Sequence, residues 1–168
     1  AKKGTALISI GIVILLILIA VVVYINMRNN LVAMEEEVDA AWAEIDNQLQ
    51  RRADLIPNLV NTVKGYADHE EEVFTRIAEA RSKLAGSGSV AEKAEGYNEM
   101  QSALSRLLVV VEQYPELKAN ENFTRLMDEL AGTENRIAVA RKRYNDVVRE
   151  FNTKIRMFPT SIIASNLG

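Results

Sequence analysis

The first apolar pattern of the chain is a run from Gly4 to Ile25 that contains no charged side chain. Lys2 and Lys3 precede the run, and Arg28 follows it. A helix of this length would measure roughly 33 Å, enough to cross a hydrocarbon core of about 30 Å. The run therefore predicts an uncleaved membrane span. A signal peptide fits less well, because its apolar core is shorter and ends at a small-residue cleavage site.

Beyond this run, hydrophobic residues recur at intervals of three and four, the spacing of one face of a helix. Leu31, Val38 and Ile45 lie seven residues apart, and no Pro or Gly occurs in this stretch. The membrane helix is therefore predicted to continue to about Arg52. A hinge at 26–30, where asparagines lower helix propensity, is the alternative.

Pro57 is predicted to mark a helix junction, because proline lacks an N–H and disfavours helical geometry at the preceding residue. A kinked continuous helix is the alternative. The later apolar stripes predict a second helix over 57–84, a third from Val90 to before Tyr114, and a fourth from Asn120 or Asn122 to Phe158.

These patterns predict an all-α fold in which an N-terminal transmembrane helix continues into an antiparallel four-helix bundle with long heptad-patterned helices. The predicted organisation is an anchor over 1–26, a helical domain over 27–159 and a short apolar tail over 160–168. Trp42, on the first bundle helix, is predicted to be a core residue.

Charge argues against a nucleic-acid partner. The chain has a net charge of −3, and all 23 acidic but only 18 of the 20 basic residues follow Asn26. These charges are interspersed rather than clustered, so they form no basic footprint. Lys2 and Lys3 precede the span, whereas Arg28 is the sole basic residue in the twenty that follow. The positive-inside rule then predicts a single-pass inner-membrane protein with a cytoplasmic N-terminus and a periplasmic or otherwise extracytoplasmic helical domain.

Catalytic chemistry has few candidates in this sequence. Cysteine is absent and His69 is the only histidine, which excludes thiolate catalysis and a di-iron bundle site. No nucleophile elbow or phosphate-binding loop occurs. His69 with Glu72 could hold one weakly bound divalent ion, but a solvated acidic helix face explains them better. We predict no enzymatic activity, no cofactor and no metal.

Two groups of residues are candidates for contact with a neighbouring subunit. Arg51, Arg52, Asp54 and Asn58 flank the predicted junction, where paired arginines beside an aspartate offer both donors and an acceptor. A capped helix junction held by local hydrogen bonds is the alternative explanation.

The second group lies in the third helix. Leu107 to Val111 are five consecutive apolar residues, which cover more than one helical turn, so one side must face away from the core. Val109 and Val110 are the candidates there. Together the two groups predict a homo-oligomer in the form of a ring or larger array.

The sequence also carries a specific block, Gln48-Leu49-Gln50-Arg51-Arg52-Ala53-Asp54-Leu55-Ile56-Pro57-Asn58-Leu59-Val60, with Ala41-Trp42 before it and Phe158-Pro159 near the end. In these residues the chain resembles the LemA family. The resemblance implies a membrane anchor followed by a helical bundle, with no established enzymatic activity, in a family that includes a magnetosome-associated branch. It also implies a short polar tail beyond the Phe-Pro segment, so we expect the natural product to be longer.

Two functional hypotheses follow. The first is a membrane-anchored structural or scaffold protein that self-associates through its helical domain. The alternative is a membrane-bound adaptor that binds another envelope protein, such as a protease or regulator. The expected partners are the lipid bilayer, further copies of the chain and another membrane protein, with no nucleic acid.

Overall fold

The computed structural model describes residues 2–86 and 88–165, with the backbone alone for residues 2–9. Within these ranges the regular structure is entirely helical, and no strand occurs. The helices are α1 (Lys2–Lys64), α2 (Glu71–Ala85), α3 (Val90–Val111), α4 (Pro115–Lys118), α5 (Glu121–Arg156) and α6 (Thr160–Ala164). The all-helical class and the long apolar N-terminal helix are thus confirmed. The end of the predicted tail, 166–168, lies outside the described residues.

Helix α1 is longer than the sequence pattern indicated. It continues through 26–30 without a hinge, as predicted, but it also passes through Pro57 and ends at Lys64. The prediction of a helix junction at Pro57 was therefore wrong. The chain leaves α1 at Gly65, where the amides of Tyr66 and Ala67 both donate to the carbonyl of Val63.

A hydrogen bond from α2 explains why α1 continues through Pro57 without a break. Pro57 has no N–H, so the carbonyl of Ala53 loses its helical donor. The Nε of Arg81 donates to that carbonyl at 3.0 Å. A side chain distant in sequence thus replaces the missing backbone bond, which is why the local pattern around Pro57 did not reveal it.

The third and fourth predicted helices correspond to α3 and α5, whereas the short helices α4 and α6 were not predicted. Ser89 caps α3, because its side chain accepts from the amide of Glu92 while the Glu92 carboxylate accepts from the amide of Ser89 at 2.7 Å. The Phe158–Pro159 peptide bond, between α5 and α6, is cis.

The described residues form two compact units. Unit 1 comprises the residues up to Trp42 together with those from Lys142 onward, and unit 2 comprises Ala43–Arg141. In unit 1, Trp42 is half-buried and packs against Tyr144, with ring centroids 5.8 Å apart and ring planes inclined by 59°. It therefore lies at the edge of the core rather than in its centre. Among the described residues of this unit, the buried ones are Leu31, Ala41, Thr160 and Ile163.

The buried residues of unit 2 come from α1, α2, α3 and α5 and, through Leu117, from the short helix α4. Helices α2 and α3 approach closely at Gly96, where an added Cβ would lie 2.8 Å from the Cβ of Lys83. The buried residues of α5 recur at intervals of three and four, so one face of the helix turns inward. They are Phe123, Leu126, Leu130, Thr133, Ile137 and Ala140.

Candidate functional site

The predicted contact residues on α1 separate into an outer and an inner group. Arg51, Asp54 and Asn58 are exposed, and an oxygen of Asp54 accepts a hydrogen bond from Gln50 at 3.3 Å. Arg52, in contrast, is only 3% exposed. It shares the inward face of α1 with Leu49 and Ile56, three or four residues away, so its prediction as a surface contact has to be corrected.

The two valines on α3 also separate. Val109 is 66% exposed, whereas Val110 is 8% exposed and belongs to the core beside Leu107 and Val111. Val110 therefore offers no surface to another subunit. The outward side of the apolar run consists of Leu108 and Val109.

Arg52 is the centre of a polar network that joins three helices of unit 2. Its Nη1 donates to Glu134 of α5 at 2.6 Å, and its Nη2 donates to Gln101 of α3 at 2.7 Å. The amide of Gln101 also donates to Glu134 at 2.9 Å, and the hydroxyl of Tyr97 donates to the other oxygen of Glu134. The carboxylate thus receives three donors, and the charge of Arg52 is paired, as burial requires.

Two guanidinium groups lie close to the ring of Tyr97. Those of Arg52 and Arg141 are 5.7 and 5.8 Å from its ring centroid, within the range of cation–π attraction. Burial raises the pKa of Tyr97, and the hydrogen bond to Glu134 raises it further. The phenol therefore stays protonated at neutral pH and acts as a donor in the network.

A second buried cation holds α3 against α1 and α2. Lys93 is 4% exposed, and its Nζ lies 2.8 Å from Asp46 of α1 and 2.7 Å from the carbonyl of Leu84 of α2. Sequence reasoning missed Lys93 and Glu134 as functional residues of the core. Lys93 lies four residues before Tyr97 on the apolar stripe of α3, and that position was the available signal.

An open groove of about 740 Å³ runs between α1 and α2. Its floor is apolar, with Ile56, Val60 and Phe74, and Pro57 also lines it. The Nζ of Lys64 lies 5.2 Å from the ring centroid of Phe74. The groove has the dimensions of a ligand site, but it is open to solvent and suits a protein side chain better than an enclosed small molecule.

Chemical groups for catalysis do not converge in the described part of the chain. His69 is exposed, and its ring nitrogens lie 2.8 Å from Asp68 and 3.1 Å from the Tyr114 hydroxyl. In residues 2–86 and 88–165, no three potential metal-ligating side chains come together. The arrangement of unit 2 can fix helices in register and present surfaces to a partner.

Comparison with known proteins gives consistent results. The family model described as "LemA family" matches residues 41–168. Protein LemA of Metamycoplasma hominis is 29% identical over 146 residues, which cover 86% of this chain and 67% of that protein. Magnetosome protein MamQ 2 of Paramagnetospirillum magneticum is 27% identical over 177 residues, covering 89% of this chain and 65% of that protein. Magnetosome protein MamQ of Magnetospirillum gryphiswaldense is 26% identical, with 90% and 65% covered. The chain thus spans slightly less than two thirds of the MamQ proteins.

Proposed function

The chain belongs to the LemA family, and from that premise we propose that it is a membrane-anchored structural protein that self-associates through its helical domain and catalyses no reaction. The observation that carries the proposal is the exposed apolar part of α1. Its most apolar 18-residue window has a mean hydropathy of 3.0, and none of that window is buried inside the protein. Exposed apolar surface on this scale is stable in a bilayer and not in water.

We also propose that the helical domain is an antiparallel four-helix bundle. The supporting contacts are those of Arg52 with α3 and α5, and that of Arg81 with α1, all within unit 2. The orientation is part of the proposal, with the N-terminus in the cytoplasm and the helical domain outside it. A compartment-sensitive reporter fused after Gly168 tests the orientation, and activity of the cytoplasmic reporter alone would reverse it.

Self-association is supported by apolar side chains that the fold leaves uncovered. Val109 is 66% and Leu108 is 41% exposed at the end of α3. We assign these two residues, with the exposed polar group Arg51, Asp54 and Asn58, to the contact between copies. Because anchored copies share one orientation, contacts between unlike faces would close into a ring or extend into an array.

Particle size in mild detergent tests this assignment. The full chain should form particles several times larger than the 18.7 kDa protomer, with the detergent contribution subtracted by light scattering. Val109→Glu should reduce the particle to a protomer while the helical circular dichroism stays unchanged. Val110→Glu is the matched control, because it places the same charge in the core and should unfold the domain instead.

The groove between α1 and α2 favours a second function, that of an adaptor which binds another envelope protein. Its apolar floor and the charged side chains at its rim, Lys64, Asp68, Glu71 and Arg81, resemble a protein contact site. Ala78→Arg would narrow the groove. If the protein is an adaptor, this change should remove a cross-linked partner from the native membrane while leaving the particle size unaltered. A set of cross-linked proteins that Ala78→Arg leaves unchanged would exclude the adaptor.

A further inference from the structure

Phe158 is the most exposed large hydrophobic residue among the described residues, at 81%, and its neighbour Met157 is 55% exposed. Both lie in the turn between α5 and α6. The turn is held on both sides, because Ile155 is half-buried at the end of α5 and Thr160 and Ile163 are buried in α6. Two large apolar side chains are therefore presented to the surroundings by a fixed segment.

The position of this turn along α1 follows from the two chain segments that make up unit 1. Residues from Lys142 onward form a unit with α1 up to Trp42, and Tyr144 contacts Trp42. We infer from this that α5 runs from Tyr144 back along α1 toward the apolar run. Phe158 lies fourteen residues beyond Tyr144, and Arg28 lies fourteen residues before Trp42. At 1.5 Å per helical residue, both positions are about 21 Å from the aromatic pair. The turn is thus level with Arg28, about 5 Å beyond Ile25.

Charge at this level is positive. Arg28 and Arg156 are exposed there. The acidic residues Glu35 to Glu37 begin ten residues beyond Ile25, about 15 Å along α1. That distance exceeds the Debye length of about 8 Å at physiological ionic strength, so the basic groups dominate the field next to the bilayer surface.

We propose that the Met157–Phe158 turn is a second membrane contact, which inserts its two apolar side chains into the interface of the bilayer that α1 crosses. This inference rests on the proposed membrane anchor and adds a lipid-binding surface to it. Aromatic rings are favoured at the headgroup level, and cations beside them attract anionic lipid. Arg28 and Arg156 supply that attraction, so the site prefers a bilayer containing anionic phospholipid.

Tryptophan fluorescence tests the contact in the full chain. Trp42 is the only tryptophan, so Trp42→Phe with Phe158→Trp gives a single reporter at the turn. In phosphatidylcholine vesicles that contain phosphatidylglycerol with brominated acyl chains, this reporter should shift to the blue and lose most of its fluorescence. The matched control is Val139→Trp in the same background, because Val139 is 71% exposed in unit 2 and should show neither effect.

Two further variants define the chemistry of the contact. Arg156→Gln should reduce the quenching at residue 158 in the vesicles with phosphatidylglycerol, but leave it unchanged in vesicles of phosphatidylcholine alone in which the phosphatidylcholine carries the brominated acyl chains. Because the chain has no native cysteine, Met157→Cys can carry a nitroxide, whose accessibility to oxygen should exceed its accessibility to a water-soluble nickel complex.

The outcomes separate this inference from the proposed function. A chain that floats with the vesicles but keeps its residue 158 fluorescence unquenched overturns the lipid contact and leaves the anchor in place. A blue shift without quenching assigns the turn to contact with a second copy and also overturns it. A chain that does not float overturns the anchor and this inference together.

Discussion

The two units of the protein hold their helices together by different means. Unit 2 contains a paired buried arginine and a paired buried lysine, and its polar contacts connect α1, α2, α3 and α5. Unit 1 relies on apolar residues, with the Trp42–Tyr144 pair as its ring contact. We therefore expect the charge pairs of unit 2 to specify one packing, because another register would leave the buried Arg52 or Lys93 unpaired, whereas an apolar stripe tolerates small shifts.

This difference suggests a division of roles. A fixed register in unit 2 keeps the surface around Val109 and the groove between α1 and α2 in a defined shape, as a specific protein contact requires. An apolar contact that tolerates shifts suits a segment whose neighbours are fluid lipids. Specificity of association is thus expected from unit 2, and affinity for the bilayer from unit 1.

Of the substitutions that test this difference between the units, removal of Arg52 should lower the free energy of unfolding the most. Arg52→Leu leaves Glu134 and Gln101 without their shared donor. We expect the free energy of unfolding to fall by about 3 kcal/mol, which is the lower end of the range for a broken buried pair, because the Glu134 side chain is 36% exposed. Denaturant unfolding followed by circular dichroism measures it. Arg125→Leu, on the exposed face of α5, should change stability by less than about 0.5 kcal/mol. Equal effects of the two changes would show that the network does not set the stability of unit 2.

The close approach of α2 and α3 provides the second test. Gly96→Ala places a Cβ within 2.8 Å of the Cβ of Lys83, so we expect a loss of roughly 2 kcal/mol from overpacking. Gly132→Ala is the control, because its Cβ meets only the flexible end of Arg136. That substitution should stabilise α5 by up to about 1 kcal/mol. If Gly96→Ala were neutral, the two helices would be free to separate slightly.

Arg81 and Pro57 can be tested as a pair. Arg81→Met leaves the carbonyl of Ala53 without a donor and should cost about 1.5 kcal/mol. In a Pro57→Ala background, the new N–H supplies the helical bond, so the cost of Arg81→Met should fall to a few tenths of a kcal/mol. A double-mutant cycle from unfolding curves gives the coupling. Additive effects would mean that Arg81 does not compensate for the proline.

The cap of α3 predicts a dependence on pH. The amide and hydroxyl of Ser89 hold the pKa of Glu92 below its ordinary value of 4.5. The folded pKa is depressed, so this contribution is complete above pH 4.5 and is lost as the pH falls through the folded value. Ser89→Ala should cost about 1 kcal/mol at neutral pH. The variant loses the bond from the Ser89 hydroxyl to the Glu92 carboxylate, so the difference between the two proteins should narrow in acid. It should not vanish, because the hydroxyl also accepts from the Glu92 amide at every pH. A constant difference down to low pH would contradict the assignment.

The aromatic pair of unit 1 should show the smallest effect. Tyr144→Leu keeps most of the apolar volume and removes only the ring contact with Trp42, so we expect a loss of about 0.5 kcal/mol. The emission of Trp42, the single tryptophan, should shift to longer wavelength as its environment becomes wetter. A loss as large as that of Arg52→Leu would show that unit 1 is as specifically packed as unit 2.

Residue spacing was sufficient to predict the helical class, the membrane-length segment and the extents of α3 and α5. Each depends on apolar residues within one helix, which is information that a local pattern contains. Residue spacing could also have predicted that Val110 is buried and Val109 exposed. Leu104, Leu107 and Val111 define the buried face of α3, and Val110 lies on the same face.

Tertiary partners explain what the sequence did not predict. The local sequence predicts that Arg52 is a surface residue, because nothing near it in the chain pairs with its charge. Its partners Glu134 and Gln101 lie 82 and 49 residues away in the sequence. The end of the predicted helix at Pro57 was wrong for the same reason, since the compensating donor is Arg81. The Met157–Phe158 turn could not be recognised as a membrane contact from residue spacing. Its proposed role depends on the exposure of both side chains and on its position beside Arg28, and both are tertiary properties.

The hydrogen bond from Arg81 to Ala53 also has a consequence for the order in which the protein is made. Ala53 and Pro57 are synthesised before Arg81, so until α2 has formed and docked the carbonyl of Ala53 has only water as a donor. The turn of α1 around Pro57 is then expected to fray, and it becomes complete when α2 docks. If the apolar segment enters the bilayer first, the opposite end of α1, around Pro57, is the last part of that helix to form.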